Sequence, residues 1–230
     1  MSFNEIDQII RSRRSIRAFT SQAVDNELLK KILETASYAP SGTNTQPWKV
    51  YVVTGETKDK ICNAVIEVIE NTRKNPELAE QYQETFRYYP TEWVSPFIDR
   101  RRQNGWALYG LLGIQKGDKD KMHAQHLRNY RFFDAPVGLF FTLNKVLGDG
   151  AKLDTAMFMQ NIMLSAKSHG LDTCAQAAWN KYHSVVLPLL GAEDEILISA
   201  MALGYADKDN VVNTLTPPRA GIDEFTVWKN

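Results

Sequence analysis

The chain has 230 residues, of which 43% are hydrophobic and 23% are charged. This composition is ordinary for a globular protein and is sufficient for one domain with a large core. The 27 lysine and arginine residues balance the 27 aspartate and glutamate residues, so the formal net charge is zero. A neutral chain has no general attraction for nucleic acids or anionic membranes, and any anion site must therefore be local.

The sequence also disfavours exported and membrane-spanning proteins. Residues 1–15 lack the apolar core of a signal peptide, and the longest apolar runs, 135–143 and 196–203, are far shorter than the about 20 residues of a membrane helix. Cys62 and Cys174 lie far apart and outside any CxxC motif, which favours free thiols, with a disulfide between them as the alternative. We therefore expect a soluble, cytoplasmic protein.

The N-terminal third of the sequence predicts three helices and one strand. Apolar residues at helical spacing indicate a short first helix that leads into an arginine cluster: Phe3, Ile6, Ile9 and Ile10. Asp25 is a suitable N-cap for a second helix, whose apolar stripe runs from Leu28 to Ala36. Residues 48–54 are aromatic and β-branched and predict a strand, and a third helix begins near Gly55.

The middle of the chain departs from this pattern. Residues 71–131 are rich in charged residues, tyrosine and tryptophan and show no strand pattern, so we expect an excursion of helices and loops, a candidate lid. Beyond it, residues 135–143, 172–178 and 195–203 predict strands, and residues 181–190 predict a helix. A helix is also predicted over residues 154–169, with a core-facing stripe of Met157, Phe158, Ile162, Met163 and Ala166.

These elements predict one α+β domain over residues 1–230. Helices and strands do not alternate strictly, which favours a mostly antiparallel central sheet flanked by helices over a parallel doubly wound sheet. Residues 206–230 form a tail that contains buried-type aromatic residues, and such a tail must pack on another surface.

Two polar stretches near the N-terminus carry the strongest chemical signal. The first is Arg13-Arg14-Ser15-Ile16-Arg17, in which guanidinium groups can pair with a phosphate and the serine adds a donor. The second is the loop from Pro40 to Trp48, where small polar side chains and Gly42 permit close approach to a flat ligand. Taken alone, each stretch is also consistent with a solvated basic turn or a polar loop.

The order and spacing of the two stretches resemble the nitroreductase superfamily of FMN-dependent enzymes. The resemblance extends from Ile9 to Trp228 and is strongest to the nitrobenzoate-reductase-like branch. It implies tightly bound FMN, NAD(P)H as electron donor, and ping-pong transfer of electron pairs through flavin N5 to nitroaromatic or quinone-like acceptors without a catalytic side chain. It also implies an intertwined homodimer in which the tail from about residue 206 adds to the other subunit.

The resemblance assigns cofactor-binding positions as well. It places Arg17 beside the N1–O2 edge of the flavin, where a cation stabilises the reduced ring, and it draws the Pro40 loop from the second subunit. A backbone N–H at Gln176 or Ala177 would contact flavin N5, and Arg219 would bind the phosphate. A second basic residue common in relatives is replaced here by Pro217. The expected contacts are Arg13, Arg14, Ser15, Arg17, Pro40, Ser41, Gly42, Asn44, Gln46, Gln176, Ala177, Gly204 and Arg219.

The excursion supplies candidate substrate contacts for a small flat aromatic molecule. Its stacking surfaces are Tyr88, Trp93, Trp106 and Tyr109, and residues 100–102 add three arginines suited to an aromatic carboxylate. A helix packed by its aromatic residues, with a solvated basic face, is the alternative.

Two other functions remain open from the sequence. One is reductive dehalogenation by a flavin enzyme like iodotyrosine deiodinase, for which Glu84 and Tyr88, four residues apart, would be lid groups. The other is a flavin-binding module without turnover.

Several site types are missing from the sequence. It contains no GxGxxG after a strand, no GxxxxGK[ST] phosphate loop and no GxSxG nucleophile motif. His123 and His126 form an HxxH pair without an obvious third ligand, so no metal site is expected. No basic stripe predicts binding to nucleic acid.

Overall fold

The computed structural model describes residues 4–229, so the predicted contribution of Phe3 to the first helix lies outside the described residues. Within that range the α-helices are α1 (Glu5–Ser12), α2 (Asn26–Ala36), α3 (Gly55–Lys74), α4 (Phe97–Leu111), α5 (Lys119–Leu127), α6 (Gly150–Ser168) and α7 (His183–Leu190). The strands are β1 (Lys49–Val53), β2 (Val137–Asn144), β3 (Asp172–Gln176) and β4 (Glu195–Gly204). Short 3₁₀ helices lie at Gly42–Asn44, Pro76–Gln81, Arg128–Asp134, Ala177–Tyr182, Val211–Thr214 and Ile222–Glu224.

The strands form one antiparallel sheet in the order β1-β2-β4-β3. This arrangement confirms the predicted α+β fold. At the edge of β3, Ser15 forms an isolated parallel bridge with Thr173, and the backbone N–H of Ile16 donates to the carbonyl of Thr173 at 3.1 Å. The arginine segment therefore continues the sheet beyond its last regular strand.

Both faces of the sheet are covered, which explains the continuous apolar run of β2. Successive side chains of a strand point to opposite faces, and Phe140 accordingly joins a cluster with Trp179 and Phe132, packed by α3 and α7. Leu139 and Phe141 join a second cluster on the other face, where α2 and α6 pack. The sheet is thus a rigid, buried platform for the segments at its edges.

The helix caps follow the sequence closely, and two details differ from the prediction. The side chain of Asp25 accepts from the backbone N–H of Leu28 at 2.9 Å, as a capping residue should. Helix α6 begins at Gly150, before the predicted start at Asp154. Met157, predicted to face the core, is 39% exposed, because α6 turns about 100° per residue and the adjacent Phe158 already occupies the core-facing position.

The excursion contains helices and loops and no strand among residues 71–131, as predicted. Its first residues complete α3, and residues 82–96 form no helix. Glu84 and Tyr88 are therefore not neighbours on a helical face, although the backbone N–H of Tyr88 donates to Glu84 Oε2 at 3.3 Å. No helix in the described part of the chain is long and apolar enough to cross a membrane. Cys62 and Cys174 are both free and buried.

Close packing in the core makes a prediction for Gly138 in β2. A Cβ atom at this position would lie 2.6 Å from Cζ of the buried Phe132. We expect Gly138→Ala to lower the free energy of unfolding by about 1–3 kcal/mol, because the ring has no room to move. Chemical denaturation measures this loss. The matched control is Gly148→Ala, where a Cβ meets no atom within 4 Å; equal losses in both variants would contradict the packing argument.

Candidate active site

The arginine segment is held by the sheet on one side and by the tail on the other. The backbone N–H of Arg17 donates to Asn213 Oδ1 at 2.8 Å. The amide of Asn213 in turn donates to the carbonyls of Ala18 and Asp207, each at 2.8 Å. Because Asn213 is buried, these bonds fix the backbone that carries the arginines without using their guanidinium groups.

Four arginines line one pocket of about 490 Å³ between α1 and the tail: Arg11, Arg13, Arg14 and Arg219. Asp7 is the one carboxylate among its lining residues. Partial burial and then the charge of the exposed Arg219 lower the pKa of Arg13, so a partly buried guanidinium group lies near a second positive charge. A bound anion would offset both the burial of the Arg13 charge and its repulsion from Arg219. The residues present therefore fit the phosphate of FMN.

The remaining contacts of this pocket leave it open to a ligand. Arg14 Nη1 donates to Thr216 Oγ1 at 3.1 Å, and Arg219 Nη1 donates to the carbonyls of Pro217 and Pro218 at 3.0 and 3.2 Å. These neutral acceptors orient guanidinium groups without neutralising their charge. The structure thus brings together Arg13, Arg14 and Arg219 as the sequence predicted, although contact with a cofactor stays a prediction.

Ser15 and Arg17 lie on the other side of the segment, against β3. Burial raises the pKa of the Cys174 thiol, and the nearby Arg17 and a hydrogen bond with Ser15 oppose that rise. Arg17 Nη1 also donates to the carbonyl of Ser15 at 3.3 Å. Arg17 therefore lies near β3 and is not among the residues that line the arginine pocket.

The loop after Pro40 is strained and exposed. Thr43, Asn44 and Gln46 have φ values of 50°, 59° and 46°, a left-handed backbone region that side chains other than glycine rarely adopt. Ser41 Oγ accepts from the backbone N–H of Gln46 at 2.9 Å, and this bond closes the turn. Strain of about 1–3 kcal/mol for each such residue is typical of binding sites, where close approach to a ligand is needed.

The loop and the arginine pocket lie at opposite ends of α6 in one chain. The backbone N–H of Gly42 donates to Asp154 Oδ2 at 3.2 Å, whereas Ile6 and Ile10 of α1 share a groove with Ser165. With a rise of about 1.5 Å per residue, Asp154 and Ser165 are about 16 Å apart along the helix. The structure therefore does not bring the two predicted halves of the cofactor site together within a single chain.

The end of β3 favours one of the two predicted N5 donors. Backbone groups of alternate strand residues point to opposite edges, and the carbonyl of Thr173 faces the arginine segment. Gln176 is the last residue of β3 and pairs with Ala200 of β4, whereas Ala177 begins the following 3₁₀ helix and is outside the strand pairing. The buried side chain of Gln176 donates instead to the carbonyl of Asn129 at 2.6 Å. The N–H of Ala177 is thus the better candidate.

Gly204 has a packing role at its position. It is buried at the end of β4, and a Cβ atom there would lie 2.7 Å from Cδ of Pro136. This close approach accounts for the glycine, and its contact with a cofactor stays a prediction.

The predicted substrate aromatics fall into two groups. Trp93 and the exposed Tyr88 both contact Tyr89, and the guanidinium of Arg101 lies 4.7 Å from the centre of the Trp93 ring. Trp106 and Tyr109 line a separate pocket on α4. The four rings therefore do not form one continuous wall.

Both histidines of the HxxH pair make contacts within the fold. His123 Nε2 lies 2.7 Å from Glu70 Oε1, which links α5 to α3. His126 packs edge-on against Tyr130. Among residues 4–229 no group of three metal-ligating side chains is present.

Three residues that position the site were missed in the sequence. Asn213 and Thr216 contact the arginine segment, and Asp154 holds the Gly42 loop. Of the three, only Asn213 could have been suspected from the sequence, because a polar residue in a short stretch with the apolar Val212 and Leu215 indicates a buried hydrogen-bonding side chain.

Comparison with known proteins agrees with this geometry. Residues 10–205 match the sequence profile of the Nitroreductase family. A nitrobenzene nitroreductase from Ectopseudomonas oleovorans is 38% identical over 225 residues, covering 97% of this chain and 96% of that protein. A 4-nitrobenzoate reductase from Pseudomonas putida is 35% identical over 224 residues, covering 97% and 95%. The crystal structure of an FMN- and NADPH-dependent nitroreductase, NfnB from a Sphigopyxis strain, superposes with a TM-score of 0.93 at 39% identity, covering 99% and 100%.

Iodotyrosine deiodinases are more distant from this chain. The protein from Nematostella vectensis is 21% identical over 225 residues, covering 98% of this chain and 75% of that protein. The profile match over most of the chain, and relatives above 30% identity along nearly its full length, identify the family. The chain belongs to the nitroreductase family.

Proposed function

We propose that the protein is an FMN-dependent oxidoreductase that transfers electrons from NAD(P)H to nitroaromatic acceptors. The observation that carries this proposal is the arginine pocket, in which Arg13, Arg14 and Arg219 meet with a single nearby carboxylate. Full-length relatives named for nitrobenzene and nitrobenzoate reduction, and the NfnB structure titled as FMN- and NADPH-dependent, support the assignment. A cytoplasmic location is consistent with the two free thiols.

Bound FMN supplies electron-pair transfer, and the protein residues bind and tune it. The arginine pocket would hold the phosphate by charge-assisted hydrogen bonds. Arg17, whose backbone is held by Asn213, would supply a positive charge that stabilises the negative charge of the reduced ring. The N–H of Ala177 would donate a hydrogen bond to flavin N5. No side chain needs to act as a nucleophile.

We further propose that the active form is a homodimer. One chain exposes 14023 Å², whereas a compact monomer of 26.1 kDa exposes about 10,600 Å². The excess is large enough for an obligate interface, which buries more than about 2,000 Å² in total. Several of the exposed apolar residues lie on α6 and the tail, among them Leu153, Met157, Phe225, Val227 and Trp228. Pairing two copies along α6 would bring the Gly42 loop of each to the arginine pocket of the other.

The first test of the function is an anaerobic absorbance experiment on the purified protein with FMN. We expect flavin bands that bleach with NAD(P)H and recover when 4-nitrobenzoate or nitrobenzene is added. Bands that bleach but recover only with a halotyrosine would replace nitroreduction by dehalogenation. Protein that gains no flavin bands would refute the proposal.

Removing one guanidinium of the arginine pocket should weaken FMN binding. We expect Arg219→Ala to raise the dissociation constant of FMN by about 10- to 100-fold, because a hydrogen bond to a charged group contributes about 1.5–3 kcal/mol. Fluorescence titration of FMN measures the change. Arg87→Ala, which removes an exposed arginine outside this pocket, is the matched control. Equal affinities of the two variants would exclude a phosphate contact at Arg219.

The dimer proposal predicts a particle of twice the 26.1 kDa chain mass in light scattering. Leu153→Glu should shift the protein toward monomer, since the added carboxylate would be buried against an apolar partner surface. The loss of FMN binding should follow the loss of dimer. Monomeric wild-type protein with full FMN affinity would contradict the shared site.

A further inference from the structure

A second cationic pocket lies on α4 and the segment that joins α4 to α5. Its volume is about 630 Å³, within the usual range for small-molecule sites. Apolar and aromatic side chains form most of its wall, among them Ile98, Trp106, Tyr109 and Ile114. The ring of Trp106 is 72% exposed, so its face is free for stacking.

The charge of this pocket is entirely positive. Arg101, Arg102 and Lys116 line it, and none of its lining residues is acidic. Within residues 4–229 none of these three cations forms an ion pair, although Arg101 stacks on the Trp93 ring, whereas the neighbouring Arg100 pairs with Glu224 at 2.8 Å. In a chain of zero net charge, three uncompensated cations around an apolar cleft create a local preference for an anion.

We propose that this pocket binds the ring and carboxylate of an aromatic acid and thereby selects acidic nitroaromatic substrates over neutral ones. The ring lies against Trp106 and Tyr109, and the guanidinium of Arg102 pairs with the carboxylate. The substrate assignment rests on the proposed function, whereas binding of the acid does not.

The position of α4 connects the pocket to the candidate active site. Helix α4 packs against the 3₁₀ helix Val211–Thr214, whose Asn213 holds the backbone of Arg17. The Arg100–Glu224 pair also ties α4 to the tail that carries Arg219. An acid bound on α4 is therefore near the elements that would hold the cofactor. The two anionic groups would occupy separate pockets, because the two lining sets share no residue.

The first test distinguishes the contribution of the carboxylate to substrate binding from that of the aromatic ring. In steady-state assays we expect Arg102→Gln to raise the KM for 4-nitrobenzoate about tenfold, to change the KM for nitrobenzene less than twofold, and to leave kcat unchanged. Arg102→Lys should restore most of the loss, because it restores the charge. Trp106→Leu should raise both KM values, since both substrates have a ring. Arg87→Ala, outside the pocket, should change neither.

A direct binding measurement tests the acid site without requiring enzymatic turnover. Calorimetry with unsubstituted benzoate and the FMN-loaded protein should show saturable binding that Arg102→Gln weakens about tenfold, while neutral benzamide binds weakly to both. Equal effects of Arg102→Gln on the KM values for 4-nitrobenzoate and nitrobenzene would overturn the proposal. The absence of saturable benzoate binding would also overturn it, and this result is expected if a second copy of the chain covers the pocket. A protein that binds benzoate through Arg102 but reduces no nitroaromatic would refute the proposed function and leave the acid site standing.

Discussion

The hydrogen bond from the N–H of Ile16 to the carbonyl of Thr173 is the contact on which the candidate site depends. It docks the arginine segment on a sheet that is buried on both faces, so the backbone of the segment cannot drift. Like-charged guanidinium groups repel one another, and side chains on a free loop would separate. Here the main chain and Asn213 hold the segment that carries the arginines in place. The clustered positive charges therefore create a local potential that attracts an anion.

The same framework separates the two predicted halves of the cofactor site within one chain. The Gly42 loop lies near Asp154 toward one end of helix α6, and helix α1, which leads into the arginine segment, lies near Ser165 toward the other end. No rotation of side chains can span that length. In the proposed dimer, a two-fold axis across α6 would exchange the two ends between chains and would also cover the exposed Leu153 and Met157. Completion of the site and burial of this apolar surface would then occur together.

The sequence predicted the local structure well because local structure depends on nearby residues. Strands β1, β2 and β4 follow from runs of apolar, β-branched or aromatic residues, and α2 begins directly after its capping residue Asp25. Contacts between distant segments carried little or no signal: Thr216 and Asp154 are ordinary polar residues until the fold places them beside Arg14 and Gly42. The excursion shows the same limit, since a row of aromatic residues does not tell which of them line one pocket.

The C-terminal tail links the two cationic pockets. It contributes Arg219 to the first and holds α4, which forms the second, through Glu224 and Arg100. Both partners of that ion pair are about half exposed, so it contributes at most about 1 kcal/mol to stability, and its importance is positional. A neutral chain can therefore present two cationic pockets of different chemistry, a guanidinium cluster suited to a phosphate and an aromatic cleft suited to a carboxylate. The zero net charge does not reveal these pockets, because acidic residues elsewhere in the chain balance the basic ones.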